Sequence, residues 1–257
     1  MGNPAAPTGR AEAVLLVDAR TGDVLATRNP DQRRQVASTQ KLLTALLVVE
    51  AGNLDRTITI QPADTWIEPS KLGFAAGDRY TRKQLLEAIL VRSSNDAALA
   101  LARDHSGSVS AFVDRMNQRA RELGCLDSNF RNPHGLTEPG QYSTARDVSR
   151  IAWVAYRNPT IRQIVQRESV QFRYANGRTT TLRNTNRLLG SMGGCNGMKT
   201  GYTRAAGRCL VSTASMGGRE VILVQLGSQT AWIFDDARTV MNYGLQQAGG
   251  GRMVGMN

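Results

Sequence analysis

Strand-forming segments lie near both ends of this chain, and helix-forming segments lie between them. Residues 13–17 and 24–27 are apolar runs joined across a turn at Thr21-Gly22, which predicts an opening hairpin. Further strands are predicted near the other end, at residues 170–174, 179–182, 198–200, 209–214 and 221–226. Because both groups of strands must bury an apolar face, the simplest packing joins the terminal strands in one antiparallel sheet.

The middle of the chain carries helix signals. The apolar run 42–49 ends at Gly52-Asn53, and Thr81-Arg82-Lys83-Gln84 has the form of a capping box. Other helices are predicted at about residues 97–102, 109–123, 144–157 and 234–246. We therefore predict an α+β fold: an antiparallel sheet formed by the N- and C-terminal strands, with flanking helices and an α-helical lobe beside it.

The composition excludes several classes of protein. The net charge is +11, but the arginines are scattered, and no zinc spacing or RNA-binding signature accompanies them, so we expect a solvated basic surface and no nucleic-acid partner. No apolar stretch reaches the roughly 18 residues of a transmembrane helix. The first ten residues lack the apolar core of a secretory signal. This leaves two alternatives, a cytosolic protein and a secreted protein whose signal has been removed.

Cysteines and histidines are few. Three cysteines are too few for a disulfide framework, although Cys195 and Cys209 flank a predicted hairpin and can face each other there. Buried free thiols are the simpler expectation. Two histidines, His105 and His134, leave little room for a Ser-His-Asp triad or a His-rich metal site. We expect His134 to be a turn residue and not a base.

Lysine is rare in this basic chain. Lysine and arginine together number 32, yet the lysines are only Lys41, Lys71, Lys83 and Lys199. Two of them lie in short motifs, Ser38-Thr39-Gln40-Lys41 and Lys199-Thr200-Gly201, and a third motif, Ser93-Ser94-Asn95, lies between these two. An amine can lose its proton and a guanidinium effectively cannot. Lysine at these places therefore indicates a proton-transfer role.

The first two motifs supply a nucleophile and its proton network. Ser38 and Lys41 are three residues apart, which places both on one face of a predicted helix start. A lysine that is shielded from water near a second cation has a lowered pKa and can take the serine proton. Ser93 offers a hydroxyl that can relay this proton to a leaving amine. The side chain of Asn95 can hold a substrate carbonyl or orient Lys41.

The third motif supplies a binding strand. Lys199 is the candidate second cation, and with Thr200 it suits a substrate carboxylate. Gly201 leaves the strand bare, so that a peptide can pair with it as an added strand. The backbone amides of Ser38 and Tyr202 are candidate oxyanion donors. Each motif alone is weak, because a helix-face pair, an N-cap or a turn explains it, but the ordered trio favours a serine acyl-transfer site.

These motifs and their surroundings resemble one known family. The chain is similar to the low-molecular-weight penicillin-binding proteins, the serine D-alanyl-D-alanine carboxypeptidases and endopeptidases of peptidoglycan. The resemblance covers about residues 12–246 and is carried by the segments 38–41, 93–98, 132–136, 141–147, 184–189, 199–203 and 206–211. It implies a penicillin-binding fold, with residues 1–257 as a single catalytic domain that lacks an additional C-terminal β-domain.

The resemblance implies residue roles that agree with the chemistry above. They are an acylated nucleophile at Ser38, a base at Lys41, a proton network and peptide contact at Ser93 and Asn95, a carboxylate site at Lys199 and Thr200, and an oxyanion hole at the amides of Ser38 and Tyr202. The implied reaction releases D-alanine from D-Ala-D-Ala peptides and then hydrolyses the acyl-enzyme. No cofactor or metal is expected. β-Lactams are expected to acylate the same serine, in a monomer located in the periplasm or otherwise outside the cytoplasm.

One departure from the family pattern leaves an alternative open. Many of its carboxypeptidases carry an arginine before the residue that corresponds to Phe234, where this chain has Ile233. Loss of that anchor for a free terminal carboxylate favours a second interpretation, a DD-endopeptidase that cuts crosslinks. A β-lactamase and a catalytically silent wall-binding module are weaker alternatives.

Overall fold

The computed structural model describes residues 6–249. Its strands are β1 (Ala13–Asp18), β2 (Val24–Arg28), β3 (Thr57–Thr59), β4 (Arg79–Thr81), β5 (Ser169–Arg173), β6 (Thr179–Arg183), β7 (Cys195–Thr203), β8 (Gly207–Met216) and β9 (Arg219–Ser228). Its α-helices are α1 (Lys41–Glu50), α2 (Pro62–Thr65), α3 (Arg82–Glu87), α4 (Asn95–Ser106), α5 (Val109–Glu122), α6 (Ala145–Arg157), α7 (Pro159–Val165) and α8 (Ile233–Gln247). A 3-10 turn (Ala37–Gln40) precedes α1, and a π-helical turn (Ala88–Arg92) follows α3.

One five-stranded sheet joins the two ends of the chain. Its strand order is β2-β1-β9-β8-β7, and each neighbouring pair is antiparallel. The register between β1 and β9 runs from Ala13 opposite Leu226 to Asp18 opposite Val221. The predicted α+β fold, with a sheet made from terminal strands, is confirmed.

The sheet separates two apolar cores. Because successive side chains of a strand point to opposite faces, Leu15 and Val17 enter the larger core, while Val14 and Leu16 enter the smaller one. The larger core continues through α1, α4 and α6 into the helical lobe. The smaller core is closed by α8. This explains why all six residues of β1 are buried.

The β5–β6 hairpin does not join the terminal sheet. It forms a sheet of its own, and its Phe172 ring lies 5.5 Å from that of Tyr80, centroid to centroid. Phe74 also packs against this pair. Both strands were predicted from the sequence, but the aromatic side chains attach the hairpin to the helical lobe instead of to the sheet.

The helix starts differ in detail from the predictions. Thr81 caps α3 with the predicted capping box, in which its hydroxyl accepts from the amide of Gln84. Ser38 lies on the 3-10 turn, and the α-helix itself begins only at Lys41. The N-cap of α4 is Ser94, whose side chain makes no capping hydrogen bond.

All three cysteines are free. In the register of β7 and β8, Cys195 lies opposite Ala214 and Cys209 opposite Gly201, so the two do not face each other. No helix within residues 6–249 is long and apolar enough to cross a membrane.

The close approach of α8 to the sheet depends on Gly244. A β carbon at this position would lie 2.8 Å from Leu16 Cδ2 and 3.1 Å from Val221 Cγ1, both in the packed core. We expect Gly244→Val to lower the free energy of unfolding by about 1–3 kcal/mol, because overpacking strains a close-packed interior. Urea unfolding measures this, with the exposed Asn242→Val on the same helix as control. Equal stabilities for the two variants would contradict the packing described here.

Candidate active site

The three sequence motifs meet in one groove between the sheet and the helical lobe. Ser93 and its loop form one side, β7 forms another, and the start of α8 closes the far wall. The groove has a volume of about 450 Å³. Its lining residues are Ser38, Pro69, Ser70, Arg92, Ser93, Arg183, Asn184, Thr185, Arg187, Thr200, Gly201, Tyr202, Arg208, Cys209, Thr230, Ile233 and Phe234.

The amine of Lys41 is the centre of this arrangement. The residue is fully buried, and its Nζ lies 2.8 Å from Ser38 Oγ and 2.7 Å from Asn95 Oδ1. The carbonyl oxygen of His134 also lies 2.7 Å from Nζ. Segments that are far apart in the sequence therefore meet at one nitrogen atom.

Oxygen atoms surround the Lys41 amine. The side-chain NH2 of Asn95 donates to the carbonyl of Pro69 at 2.6 Å, so Oδ1 is the atom that faces Lys41. This oxygen and the His134 carbonyl can only accept, and a neutral amine has two N–H groups and one lone pair. When a neutral Lys41 donates to these two acceptors, its lone pair is available to the hydroxyl of Ser38. The geometry thus suits a lysine that accepts the serine proton.

Ser93 bridges the two buried lysines. Its Oγ lies 3.5 Å from the Nζ of Lys41 and 3.0 Å from the Nζ of Lys199. Lys199 also donates to the carbonyl of Thr200 at 2.9 Å. The backbone of Ser93 is left-handed, with φ at 69°, and this conformation follows directly on the π-helical turn.

Both buried lysines have lowered pKa values. Burial, with the positive charge of Lys199 as second cause, holds the pKa of Lys41 well below its usual range. Burial alone lowers the pKa of Lys199 to about 7. Both shifts favour neutral amines, and the charge of a protonated Lys199 adds to the burial that disfavours a proton on Lys41.

Gly201 allows β7 to pass directly against the turn that carries Ser38. A β carbon at Gly201 would lie 2.8 Å from the backbone nitrogen of Ser38 and 3.1 Å from that of Thr39. The close approach therefore requires a residue without a side chain at position 201, as predicted from the sequence. Next to it, the hydroxyl of Thr200 donates to that of Thr185 at 2.6 Å.

The structure brings together all the residues singled out in the three motifs and adds partners that sequence reasoning missed. The main-chain carbonyl of His134 contacts Lys41 and accepts from Ser38 Oγ at 3.2 Å. The imidazole is not used: burial, with Lys41 as second cause, lowers its pKa to about 3. Pro69 and Ser70 accept from the side chain and the backbone amide of Asn95. A backbone carbonyl is the same in every type of residue, so the sequence does not show which carbonyl will accept a hydrogen bond. The segment 132–136 was nevertheless among those that carry the family resemblance.

Ile233 forms part of the apolar wall at the start of α8. It is 2% exposed and lines the groove beside Phe234. Among residues 6–249, no cluster of three or more His, Cys, Asp and Glu side chains could hold a metal ion.

Comparison with known proteins identifies the family of this chain. The family model described as D-alanyl-D-alanine carboxypeptidase, peptidase family S11, matches residues 2–230. The D-alanyl-D-alanine carboxypeptidase DacB2 of Mycobacterium tuberculosis is 36% identical, over 93% of this chain and 83% of its own length. DacF of Bacillus subtilis is 35% identical over 86% of this chain, which spans only 58% of that relative.

The solved structures agree with the sequence relatives. The crystal structure of the Streptomyces K15 DD-transpeptidase has a TM-score of 0.87 and 33% identity, and the match covers 96% of this chain and 99% of that one. The chain therefore belongs to the D-alanyl-D-alanine carboxypeptidase family of serine hydrolases, as its motifs predicted.

Proposed function

We propose that this protein is a serine-type D-Ala-D-Ala carboxypeptidase that acts on peptidoglycan stem peptides through an acyl-enzyme on Ser38. The observation that supports this most is the position of the Lys41 amine, whose Nζ lies 2.8 Å from Ser38 Oγ and 2.7 Å from two oxygens that can only accept, Asn95 Oδ1 and the His134 carbonyl. Lys41 then removes the serine proton as Oγ attacks the substrate carbonyl. No histidine takes part.

The rest of the reaction follows from the contacts around Ser93. Lys41, now protonated, passes a proton through the Ser93 hydroxyl to the leaving amine of D-alanine. The backbone amides of Ser38 and Tyr202 stabilise the oxyanion. Water then attacks the acyl-enzyme, with Lys41 again as base, and restores the free serine.

The substrate is held along β7. Lys199 as a cation and Thr200 as a hydroxyl bind the terminal carboxylate of the peptide. Asn95 has its oxygen on Lys41 and its NH2 on Pro69, so we assign it the task of orienting the base. The apolar wall at Ile233 adds no charge to the carboxylate site.

We extend the proposal to the protein as a whole. Residues 1–257 act as one catalytic domain, because both lobes contribute to a single groove. The substrate lies outside the cytoplasm, so the protein works there, as a monomer, and β-lactams react with it as substrate mimics.

Product analysis tests carboxypeptidase against endopeptidase activity. We expect HPLC to show free D-alanine released from a pentapeptide that ends in D-Ala-D-Ala, at a higher rate than any cleavage of a crosslinked dimer. Cleavage of the dimer without D-alanine release would favour the endopeptidase instead. A benzylpenicillin adduct that lasts for hours in intact-mass spectra excludes an efficient β-lactamase.

The role of Lys41 is tested by replacing it with a long basic side chain that cannot give up its proton. We expect Lys41→Arg to slow acylation by benzylpenicillin about 10²–10⁴-fold, since a guanidinium cannot accept the serine proton. Lys83→Arg on the surface is the matched control and should acylate at the wild-type rate. Ser38→Ala should form no adduct. Full acylation of Lys41→Arg would refute the base assignment.

The two lysine pKa values predict a bell-shaped pH profile of kcat/KM. Activity falls on the acid side as Lys41 gains a proton, and on the alkaline side above about pH 7 as Lys199 loses one. A bound carboxylate favours the charged form of Lys199, so the alkaline limb of kcat lies at higher pH than that of kcat/KM. In Lys199→Arg the alkaline limb near pH 7 should disappear. Its persistence there would assign that limb to another group.

A further inference from the structure

The groove carries more positive charge than the proposed reaction uses. Four arginines line it, namely Arg92, Arg183, Arg187 and Arg208. None of the described lining residues is acidic. Within residues 6–249, none of these four arginines forms an ion pair. A groove with this lining selects anionic ligands.

Arg208 is the most firmly placed of the four. Its Nε donates to the hydroxyl of Thr230 at 2.9 Å, and its guanidinium carbon lies 4.4 Å from the ring centroid of Tyr202. The two contacts orient the planar fork, and stacking on the ring adds a cation–π attraction. Its Nη groups have no hydrogen-bond partner among the described residues. They can engage a carboxylate in the bidentate manner that arginine favours.

The position of Arg208 on β8, next to β7, identifies which part of a peptide it meets. Ser38 faces Gly201, and in the proposed function the terminal carboxylate lies at Lys199 and Thr200, on one side of that point. The acyl part of the peptide must then extend to the other side, towards Tyr202. Arg208 is the register partner of Tyr202 on β8.

We propose that Arg208 forms a second anion subsite, which binds a carboxylate carried by the peptide on the acyl side of the scissile bond. The proposal rests on the direction of the peptide in the proposed function. It makes Arg208 a specificity-determining residue, which distinguishes acidic acyl segments from amidated or neutral ones and does not act on the reacting atoms.

A pair of peptides that differ by one carboxylate tests this subsite. N-acetyl-L-glutamyl-D-alanyl-D-alanine and its glutaminyl analogue share the same terminal carboxylate. We expect the wild-type protein to favour the glutamyl peptide about tenfold in kcat/KM, mainly through KM, since a charge-assisted hydrogen bond is lost in the other. Arg208→Gln should abolish this preference and leave the glutaminyl peptide and benzylpenicillin acylation within about twofold of wild type.

The matched control is Arg178→Gln. Arg178 also stacks on a tyrosine, at 4.0 Å from the ring centroid of Tyr174, but it does not line the groove. It should keep the wild-type preference. Loss of the preference in this control would indicate a general charge effect, and an equal loss for both peptides in Arg208→Gln would place Arg208 on the terminal carboxylate. Either result overturns the proposal, as does a wild-type protein without preference.

A second readout separates this inference from the proposed function. Each peptide is also tested for its ability to slow acylation of Ser38 by benzylpenicillin, which requires binding and no peptide hydrolysis. If neither peptide releases D-alanine, the carboxypeptidase assignment fails. Stronger competition by the glutamyl peptide in wild type, absent in Arg208→Gln, would still support the subsite, and equal competition would overturn it.

Discussion

The burial of the Lys41 amine is the constraint on which the rest of the site depends. An isolated ammonium group in a protein interior is very costly, so a buried lysine either finds a full set of partners or becomes neutral. Lys41 has such partners, since Asn95 Oδ1 and the His134 carbonyl accept from its amine. Burial and the charge of Lys199 also lower its pKa. Burial, which makes a charged lysine costly in an ordinary core, thus favours the neutral amine that the proposed base requires.

The surrounding backbone is shaped to bring these partners together. Five non-glycine residues in the described chain have left-handed φ angles, and three of them are at the site: Ala37 at 49°, Ser70 at 62° and Ser93 at 69°. Such conformations are unfavourable for residues with a β carbon and persist only where the surrounding packing enforces them. Ala37 directly precedes Ser38, the Ser70 carbonyl accepts from the backbone amide of Asn95, and the Ser93 hydroxyl lies next to the Lys41 amine. Part of the stability of the two cores is thus used to hold the groove in its working shape.

Much of this structure could be predicted from the sequence. The apolar runs and turn residues predicted the strands of the terminal sheet, and the three-residue spacing predicted the meeting of Ser38 and Lys41, because both signals lie in residues that are close together in the chain. The lobe that holds the β5–β6 hairpin could not be predicted in this way, since Phe172 and Tyr80 meet through a contact 92 positions apart in the chain. The acceptor role of the His134 carbonyl is likewise invisible, because every residue offers the same carbonyl. Arg208 is one arginine among many until the register with Tyr202 is known.

The strand order has a consequence for how the protein is made. β9, which ends at Ser228, lies between β1 and β8. Synthesis proceeds from the N-terminus, so β1 pairs early with β2 but waits for its second neighbour until β9 has been translated. That pairing closes a loop of roughly 200 residues, a slow and non-local step. Until then Lys199 and Ser38 have no common scaffold. The nascent chain is therefore expected to be inert towards peptides and penicillin until β9 is inserted, which couples the appearance of reactivity to the arrival of this strand.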